Sequence, residues 1–279
     1  NQLLGATTIT GGDSGAVLNG SNNSVAASGN IDGQGNEGVQ ITGSSNVVSA
    51  LGVLGENDAV EIDGSSNQVT VGANGITDNG GTNSGSGVDI DGNTNTVTSD
   101  GAISSSSTES DDAGVLIDGI GNVVTSGGSI SSGNDGVFAT GSGNIVTAGG
   151  AVIGTNGDGL NFQGSNNQLL GATTITGGDS GAVLNGNSNA VNASGNINGQ
   201  GSEGVQITGN TNTVSALGIL GENDALEIDG SGNTVTVGAN GITDNGGANS
   251  GSGVDIDGTG NVVTSGGGIT TASTEGDDA

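Results

Sequence analysis

Carboxylates are the only ionisable side chains in this 279-residue chain, which has 29 Asp and Glu but no Lys, Arg, His, Cys or Tyr. Several of these acids recur one or three residues before a regularly spaced Gly, at positions expected to face outward. Oxygen-rich clusters of this kind suit Ca²⁺. The pattern therefore predicts hypothetical calcium ligands, and the alternative is a solvated acidic face without an ion. The nine candidate ligands are Glu61, Asp63, Asp89, Asp91, Asp118, Glu227, Asp229, Asp255 and Asp257.

The missing residue types exclude several classes of function within this stretch. Phosphate neutralisation by a nucleic-acid-binding protein needs Lys or Arg, whereas the formal net charge here is -29. Thiol nucleophiles, imidazole bases, Schiff-base lysines and zinc sites of the usual kind need residues that the chain lacks. We expect no nucleic-acid partner, no catalytic residue and no membrane span, because no apolar run reaches the length of a transmembrane helix.

A long repeat organises the chain. Residues 1–113 and 167–279 are identical at 90 of 113 positions, an offset of 166 residues. We therefore expect one continuous segment, 1–279, made of a long repeat at 1–166 and an incomplete second copy at 167–279. The sequence resembles a window on a longer array, in which units stack on their neighbours.

A shorter unit lies inside the long repeat. A Gly followed three residues later by Asn recurs eleven times at spacings of 21 to 28 residues, and seven units make one long repeat. The residue two before this Gly is apolar in almost every unit, and a Val or Leu follows two residues after the Asn. The recurring asparagines are Asn23, Asn46, Asn67, Asn95, Asn122, Asn144, Asn167, Asn189, Asn212, Asn233 and Asn261.

The spacing of apolar residues indicates the fold. Val, Ile and Thr two residues apart indicate short strands, with Gly and Asn at the corners. A single unit cannot bury its apolar residues, but stacked units can. The pattern predicts an all-β coil with three short strands in each turn of about 21–28 residues. We expect the inward Asn to form a column in which each amide donates to one neighbour and accepts from the other.

These units resemble the parallel β-helix repeat of pectate-lyase-like enzymes and of adhesin β-solenoids of the autotransporter and haemagglutinin types. The resemblance is carried by stretches such as 38–48, Gly-Val-Gln-Ile-Thr-Gly-Ser-Ser-Asn-Val-Val. It implies a right-handed parallel β-helix. The lyases of this family use a basic residue as proton acceptor, which this stretch lacks, and stacked acids alone are weak evidence for a glycosidase.

The function predicted from the sequence is structural and non-enzymatic. We expect a repetitive segment of an extracellular or cell-surface fibre, adhesin stalk or matrix filament, whose open ends pair head to tail with further copies or whose sides associate laterally. The alternative is an adhesin module that binds carbohydrates or surfaces through the loops at 77–86 and 104–113. An ice-binding face is less favoured, because successive coils lack regular Thr-x-Thr pairs.

Overall fold

A computed structural model describes residues 1–80, 85–246 and 251–273 of the chain. In these residues the protein is all-β, and its parallel sheets stack as a β-solenoid of about 11 turns. This confirms the fold class predicted from the repeat. The predicted contact loop at 77–86 falls partly outside the described residues, since 81–84 are not described. Across the described stretches there is no helix of the length and apolarity needed to cross a membrane.

The strands are short and follow one another around each turn. In chain order, β1 to β31 are Gln2–Ala6, Ile9–Gly11, Ala16–Leu18, Ser24–Ala27, Asn30–Gly33, Val39–Ile41, Val47–Gly55, Val60–Ile62, Gln68–Asp78, Val88–Ile90, Thr96–Ser99, Ile103–Ser104, Ala113–Ile117, Val123–Ser126, Ile130–Ser132, Asp135–Ala139, Ile145–Ala148, Val152–Gly154, Leu160–Phe162, Gln168–Ala172, Ile175–Gly177, Ala182–Leu184, Ala190–Ala193, Asn196–Gly199, Val205–Ile207, Thr213–Gly221, Leu226–Ile228, Thr234–Asp244, Val254–Ile256, Val262–Ser265 and Ile269–Thr270.

One face of the rod is an 11-stranded parallel sheet built from the strand that precedes each recurring Gly. Its register keeps equivalent residues in line, so Val39 pairs with Val60 and Ile41 pairs with Ile62. In β6, β8 and β10 the first and third residues are buried and the middle one is half-buried. This alternation gives each strand one outward position, which is where several acids of the sequence pattern lie.

The other two strands of each turn belong to a 20-stranded sheet. In four turns they merge into one bent strand, β7, β9, β26 or β28, of 9 or 11 residues. The bend is marked by a register shift at Ala50/Gly52 and again at Ala216/Gly218. The three separate strands expected in every turn are therefore present in most turns and reduced to two in these four.

The corner that carries the recurring Gly explains the residue pattern there. A Cβ on Gly64 would collide with the carbonyl oxygen of Gly43 in the previous turn, because neighbouring backbones approach closely. The residue two positions after each recurring Gly adopts a left-handed φ of 55 to 70° in all eleven turns, with Thr94 and Thr211 among the non-Gly examples. Few β-branched residues adopt this conformation. The corner thus depends on stacking that holds it in place.

Candidate functional site

The recurring asparagines form a ladder through the interior of the rod. The backbone N–H of Asn46 donates to Oδ1 of Asn67 at 2.8 Å, and the Asn67 amide Nδ2 donates to the carbonyl of Gly43 at 2.9 Å. The same backbone-to-Oδ1 bond continues from Asn67 to Asn95 and beyond, as far as Asn261. Each amide therefore satisfies backbone groups of the turn before it, which fixes the register of the stack.

Direct amide-to-amide bonds, which the sequence led us to expect along the whole column, are recorded only near its start. Asn46 Nδ2 donates to Asn67 Oδ1 at 3.2 Å, and Asn67 Nδ2 donates to Asn95 Oδ1 at 3.2 Å. In later turns Nδ2 instead donates to the carbonyl of a recurring Gly, as Asn122 does with Gly92. At most corners this carbonyl takes the role expected of the neighbouring amide, whereas the Nδ2 of Asn212 is buried without a partner.

The acids predicted from the first long repeat lie together on the outer side of the 11-stranded sheet. Glu61 and Asp89 occupy the middle positions of β8 and β10 and pair in register. Gln40 Nε2 donates to Glu61 at 2.7 Å, and Thr140 donates to Asp118. Asp63, Asp91 and Asp118 are exposed at the corners that follow these strands.

Asp89 differs from the other members of this group. Its side chain is half-buried, and its Oδ1 is shielded from water without a hydrogen-bond partner. Burial, reinforced by the carboxylates of Asp58, Asp91, Asp118 and Glu61, raises the pKa of Asp89 to about 8. An acid in these surroundings holds its proton at neutral pH, because ionisation would leave an unpaired buried charge.

In the second long repeat the predicted acids are more open. Asp229, Asp255 and Asp257 are exposed, whereas Glu227 is half-buried and accepts a hydrogen bond from Gln206 at 2.7 Å. Over the described part of the chain, one group of three acids brings carboxylate oxygens within 4.8 Å of one another, and it consists of Glu203, Asp224 and Glu227. Of these, the sequence pattern had selected Glu227 alone.

The other two belong to a column that sequence reasoning missed. It lies six residues before each recurring Gly, at the turn that leads into the 11-stranded sheet, and we call it the turn column. A comparison of the residue at this position in all eleven units would have revealed the column, since ten of its eleven members are acidic or Ser. Its members are Ser14, Glu37, Asp58, Ser86, Ala113, Asp135, Asp158, Ser180, Glu203, Asp224 and Ser252.

Hydrogen bonds between neighbouring turns connect most of the turn column. The N–H of Ser86 donates to Asp58 Oδ1 at 2.6 Å, and the N–H of Ser180 donates to Asp158 Oδ1 at 3.1 Å. Ser14 Oγ donates to Glu37 at 2.8 Å. The carboxylates thus accept hydrogen bonds from backbone N–H groups and from a hydroxyl. The turn column therefore satisfies polar groups at a corner where the hydrogen bonding of the sheet is interrupted.

Acids occupy adjacent positions of the turn column three times, as the pairs Glu37–Asp58, Asp135–Asp158 and Glu203–Asp224. Glu37, Asp58, Asp135 and Glu203 are each no more than 8% exposed. Since the chain has no basic side chain, no pair receives a compensating positive charge from a Lys, Arg or His. Neighbouring carboxyls in such surroundings favour a state in which one of them is protonated.

The members of a pair differ in their hydrogen-bond donors. Burial acts to raise the pKa of Glu203, but hydrogen bonds from Ser202, Asn223 and Ser180, together with its own N–H, outweigh burial and hold it below its usual value. Burial raises the pKa of its partner Asp224 instead. In this pair Glu203 is the ionised member and Asp224 is the one more prone to hold a proton.

A groove lies where the turn column meets the outward acids of the first repeat. Its volume is about 600 Å³ and its carboxylates include Asp58, Asp89 and Asp112, with Leu116 and Phe138 as apolar lining. The loop at 104–113 contributes to one side, where Ser107 Oγ donates to Asp112 at 2.6 Å. Burial raises the pKa of Asp58 to about 7, opposed by the N–H of Ser86 and reinforced by Glu61, Asp112 and Glu37.

Comparisons with protein-family models, curated proteins and solved structures returned no match for this chain. The parallel β-solenoid agrees with the β-helix type of repeat that the sequence resembles, and the evidence for it comes from the eleven stacked turns themselves.

Proposed function

We propose that this protein is a non-enzymatic structural rod, a repetitive segment of an extracellular or cell-surface fibre, adhesin stalk or matrix filament. The observation that carries the proposal is the unbroken register of the 11-stranded sheet from β3 to β29. An Asn ladder and a continuous apolar core accompany it. Such a stack resists bending and gains length with each added turn, since every turn contributes about 4.8 Å.

The acids of the rod do not favour a catalytic role. Hydrolases that use two carboxylates keep one protonated and one ionised around a cleft that holds the substrate. Here the acid pairs of the turn column are mostly buried within the stack. Asp58 and Asp158 each accept a hydrogen bond from a main-chain N–H group of the next turn. Hydrogen bonding between turns, rather than contact with a substrate, accounts for these carboxyls.

Apolar residues in the first and last described turns show what stacking covers in the other turns. Leu3 is 51% exposed, whereas Leu169, its counterpart in the second repeat, is fully buried by the turn before it. Ile256 is 41% exposed, and its counterpart Ile90 is fully buried. A further turn, from the same chain or from another copy, would cover these residues and pair the open strand edges.

The ladder gives such an assembly a direction. Each Asn receives the N–H of the previous turn on its Oδ1, so one end of the stack presents an amide oxygen and the other presents a backbone N–H. We therefore propose head-to-tail contacts between copies, which do not close into a ring and so extend into filaments.

Electron microscopy of the 279-residue chain over a range of concentrations tests both proposals. We expect rods of constant width, about 50 Å long for one copy of eleven turns, that lengthen as concentration rises. Leu3→Asp at the end should reduce this lengthening, and Leu51→Asp on the side, where Leu51 is 41% exposed, is the matched control. Rods that stay at single length at high concentration would argue against end-to-end assembly, and globular particles would argue against the rod.

The alternative proposal, a module that binds surface glycans, has less support. Aromatic stacking commonly provides glycan contacts, and of the two Phe residues, Phe162 is fully buried and Phe138 is half-buried in the groove. A glycan array probed with the wild type and with Phe138→Ala tests it. Binding that disappears in the variant would favour this alternative over a purely structural role.

A further inference from the structure

The middle acid pair of the turn column, Asp135 and Asp158, lies on two turns that carry none of the predicted calcium ligands. The N–H of Asp158 donates to Asp135 Oδ1 at 2.7 Å, so the two residues occupy consecutive turns in direct contact. Asp135 is 8% exposed and Asp158 is half-buried. Two carboxylates stacked in this way repel each other, and binding of a proton by one of them relieves the repulsion.

Every charged group that faces the pair is also acidic. On the turn after Asp158, Asp179 is exposed beside Ser180, and Glu203 follows one turn later, bonded to Ser180 Oγ at 3.2 Å. On the turn before Asp135, Asp112 precedes Ala113. The strands packed around the pair, β13, β15, β16, β18, β19 and β22, contain no titratable residue other than Asp135.

Asn161 contacts the carboxyl of Asp158 directly, and its amide can match either form of that carboxyl. Its Nδ2 donates to Asp158 Oδ2 at 2.9 Å, whereas its Oδ1 is buried without a partner. Its strand neighbours are Phe138 and Val183, which have no polar side-chain atoms. Turning the amide by 180° would place Oδ1 against Asp158, where it accepts a hydrogen bond if that carboxyl is protonated.

We propose that Asp135 and Asp158 form a proton-binding switch within the rod, in which uptake of a proton from water tightens the contact between their turns and its release loosens it. With one proton bound, the pair carries a single negative charge, and a turned Asn161 amide accepts a hydrogen bond from Asp158 in place of the one its Nδ2 donates to the ionised form. With none bound, two charges face each other in the stack, and the bonds from the Asp158 and Ser180 N–H groups hold the turns together against that repulsion.

The expected order of proton release follows from the surroundings of each group. Burial raises the pKa of Asp135 to about 6, opposed by the Asp158 N–H and reinforced by Asp179. Burial raises the pKa of Asp158 to about 7, and the negative charge of Asp135 adds to the rise. Asp135 therefore ionises first as pH increases, and Asp158 follows near neutral pH.

Carboxyl carbon chemical shifts, followed by NMR in the full 279-residue chain from pH 3 to 9, test the switch. We expect Asp158 to titrate near neutrality, and Asp135→Asn to lower its midpoint by about one pH unit. Asp100→Asn, which removes an exposed carboxylate far from the pair, should leave that midpoint unchanged. The proposal is overturned if Asp158 titrates near 4, or if both variants leave its midpoint in the same place.

A second measurement separates the switch from a purely structural role of the two side chains. Asn keeps the acceptor oxygen for the neighbouring N–H, so the double variant Asp135→Asn, Asp158→Asn should remain folded. The wild type should melt at a higher temperature at pH 5.5 than at pH 8.5, and the double variant should lose several degrees of that difference. An unchanged difference would show that the pair binds no proton in this range.

Discussion

Asp58 and Asp224 occupy equivalent positions in the two long repeats, yet their surroundings differ. Asp58 is 8% exposed and faces Asp112 from the loop at 104–113, whereas Asp224 is half-buried; each also interacts with an equivalent acid, Asp89 or Asp255. Residues 274–279, which would supply the counterpart of that loop, lie outside the described residues. The pKa of Asp58 is raised to about 7, and that of Asp224 is raised as well. Around Asp58, burial by the neighbouring turns and the charge of Asp112 both raise the pKa of this acid.

The same comparison holds for the glutamates. Ser202 replaces the Asn36 of the first repeat, and its hydroxyl donates to Glu203 at 2.6 Å. Asn223 Nδ2 donates to Glu203 at 2.9 Å, whereas the equivalent contact from Asn57 to Glu37 is 3.5 Å. Glu203 is thus better stabilised as an anion, and it lies close to Asp224 and Glu227. A single substitution is therefore associated with a different arrangement of acids.

The largest effect is expected from the ladder, which both repeats share. Asn67→Ala leaves the buried N–H of Asn46 and the carbonyl of Gly43 without their partners. At 1–3 kcal/mol for each unsatisfied group, the rod should lose about 4 kcal/mol of unfolding free energy. Asn233→Ala removes the matching bonds to Asn212 and Gly209 and is the control. Urea denaturation measures both losses, and a loss below about 1 kcal/mol in both would contradict a structural role for the ladder.

The next largest effect distinguishes the two repeats. At pH 8, Asp58→Asn should stabilise the protein by about 2 kcal/mol, since the neutral amide avoids the cost of ionising a buried acid. Asp224→Asn should stabilise it less, because Asp224 is more exposed. Both gains should shrink as pH falls and vanish only below about pH 4, where the acid is protonated in the unfolded state as well. Equal gains at pH 8 would mean that neighbouring turns do not control these acids.

Calcium provides a third comparison. The sequence-based calcium prediction remains untested, and the grouping of Glu203, Asp224 and Glu227 now favours the second repeat. Millimolar Ca²⁺ should raise the melting temperature by an amount equivalent to about 1 kcal/mol, relative to chelator at matched ionic strength. Glu203→Gln should abolish the shift and Glu37→Gln should preserve it. If Ca²⁺ leaves the melting temperature of the wild type unchanged, the calcium-binding prediction is wrong.

The smallest effect concerns the left-handed corner. Thr94 has a φ of 55° in the first repeat, where the second has Gly260 at 69°. Relief of the strain of a β-branched residue should outweigh the greater chain entropy of Gly, so Thr94→Gly should stabilise the rod by about 0.5 kcal/mol. Gly260→Thr should destabilise it by a similar amount. If the corner is not strained, thermal melts should show the reverse, with Thr94→Gly lowering the melting temperature and Gly260→Thr raising it.

Much of the fold follows from the sequence because its signal repeats. The recurring Gly and Asn identify one corner of every turn, and alternating Val and Ile identify the strands. The joining of strands in β7 and β26 was not predicted, since it depends on how the bends at Leu51 and Leu217 pack on adjacent turns. Local patterns carry no information about such contacts.

The candidate site was less accessible to sequence reasoning. Alternation placed Glu61 and Asp89 outward but did not reveal that one oxygen of Asp89 is shielded from water. The turn column escaped notice because Ser, Glu and Asp share its position, and no apolar period marks it. Burial of an acid depends on the turns above and below, which a single unit of sequence does not specify.

The most direct test of the buried acids is urea unfolding of the wild-type chain between pH 4 and pH 9. The pKa values of Asp58, Asp89, Asp135 and Asp158 are raised from 3.8 to about 7, 8, 6 and 7. The folded state then binds more protons than the unfolded state between about pH 4 and 8, so stability should rise as pH falls through this range. A stability that is constant, or that falls on acidification from pH 8 to pH 5, would contradict the presence of protonated acids inside the rod.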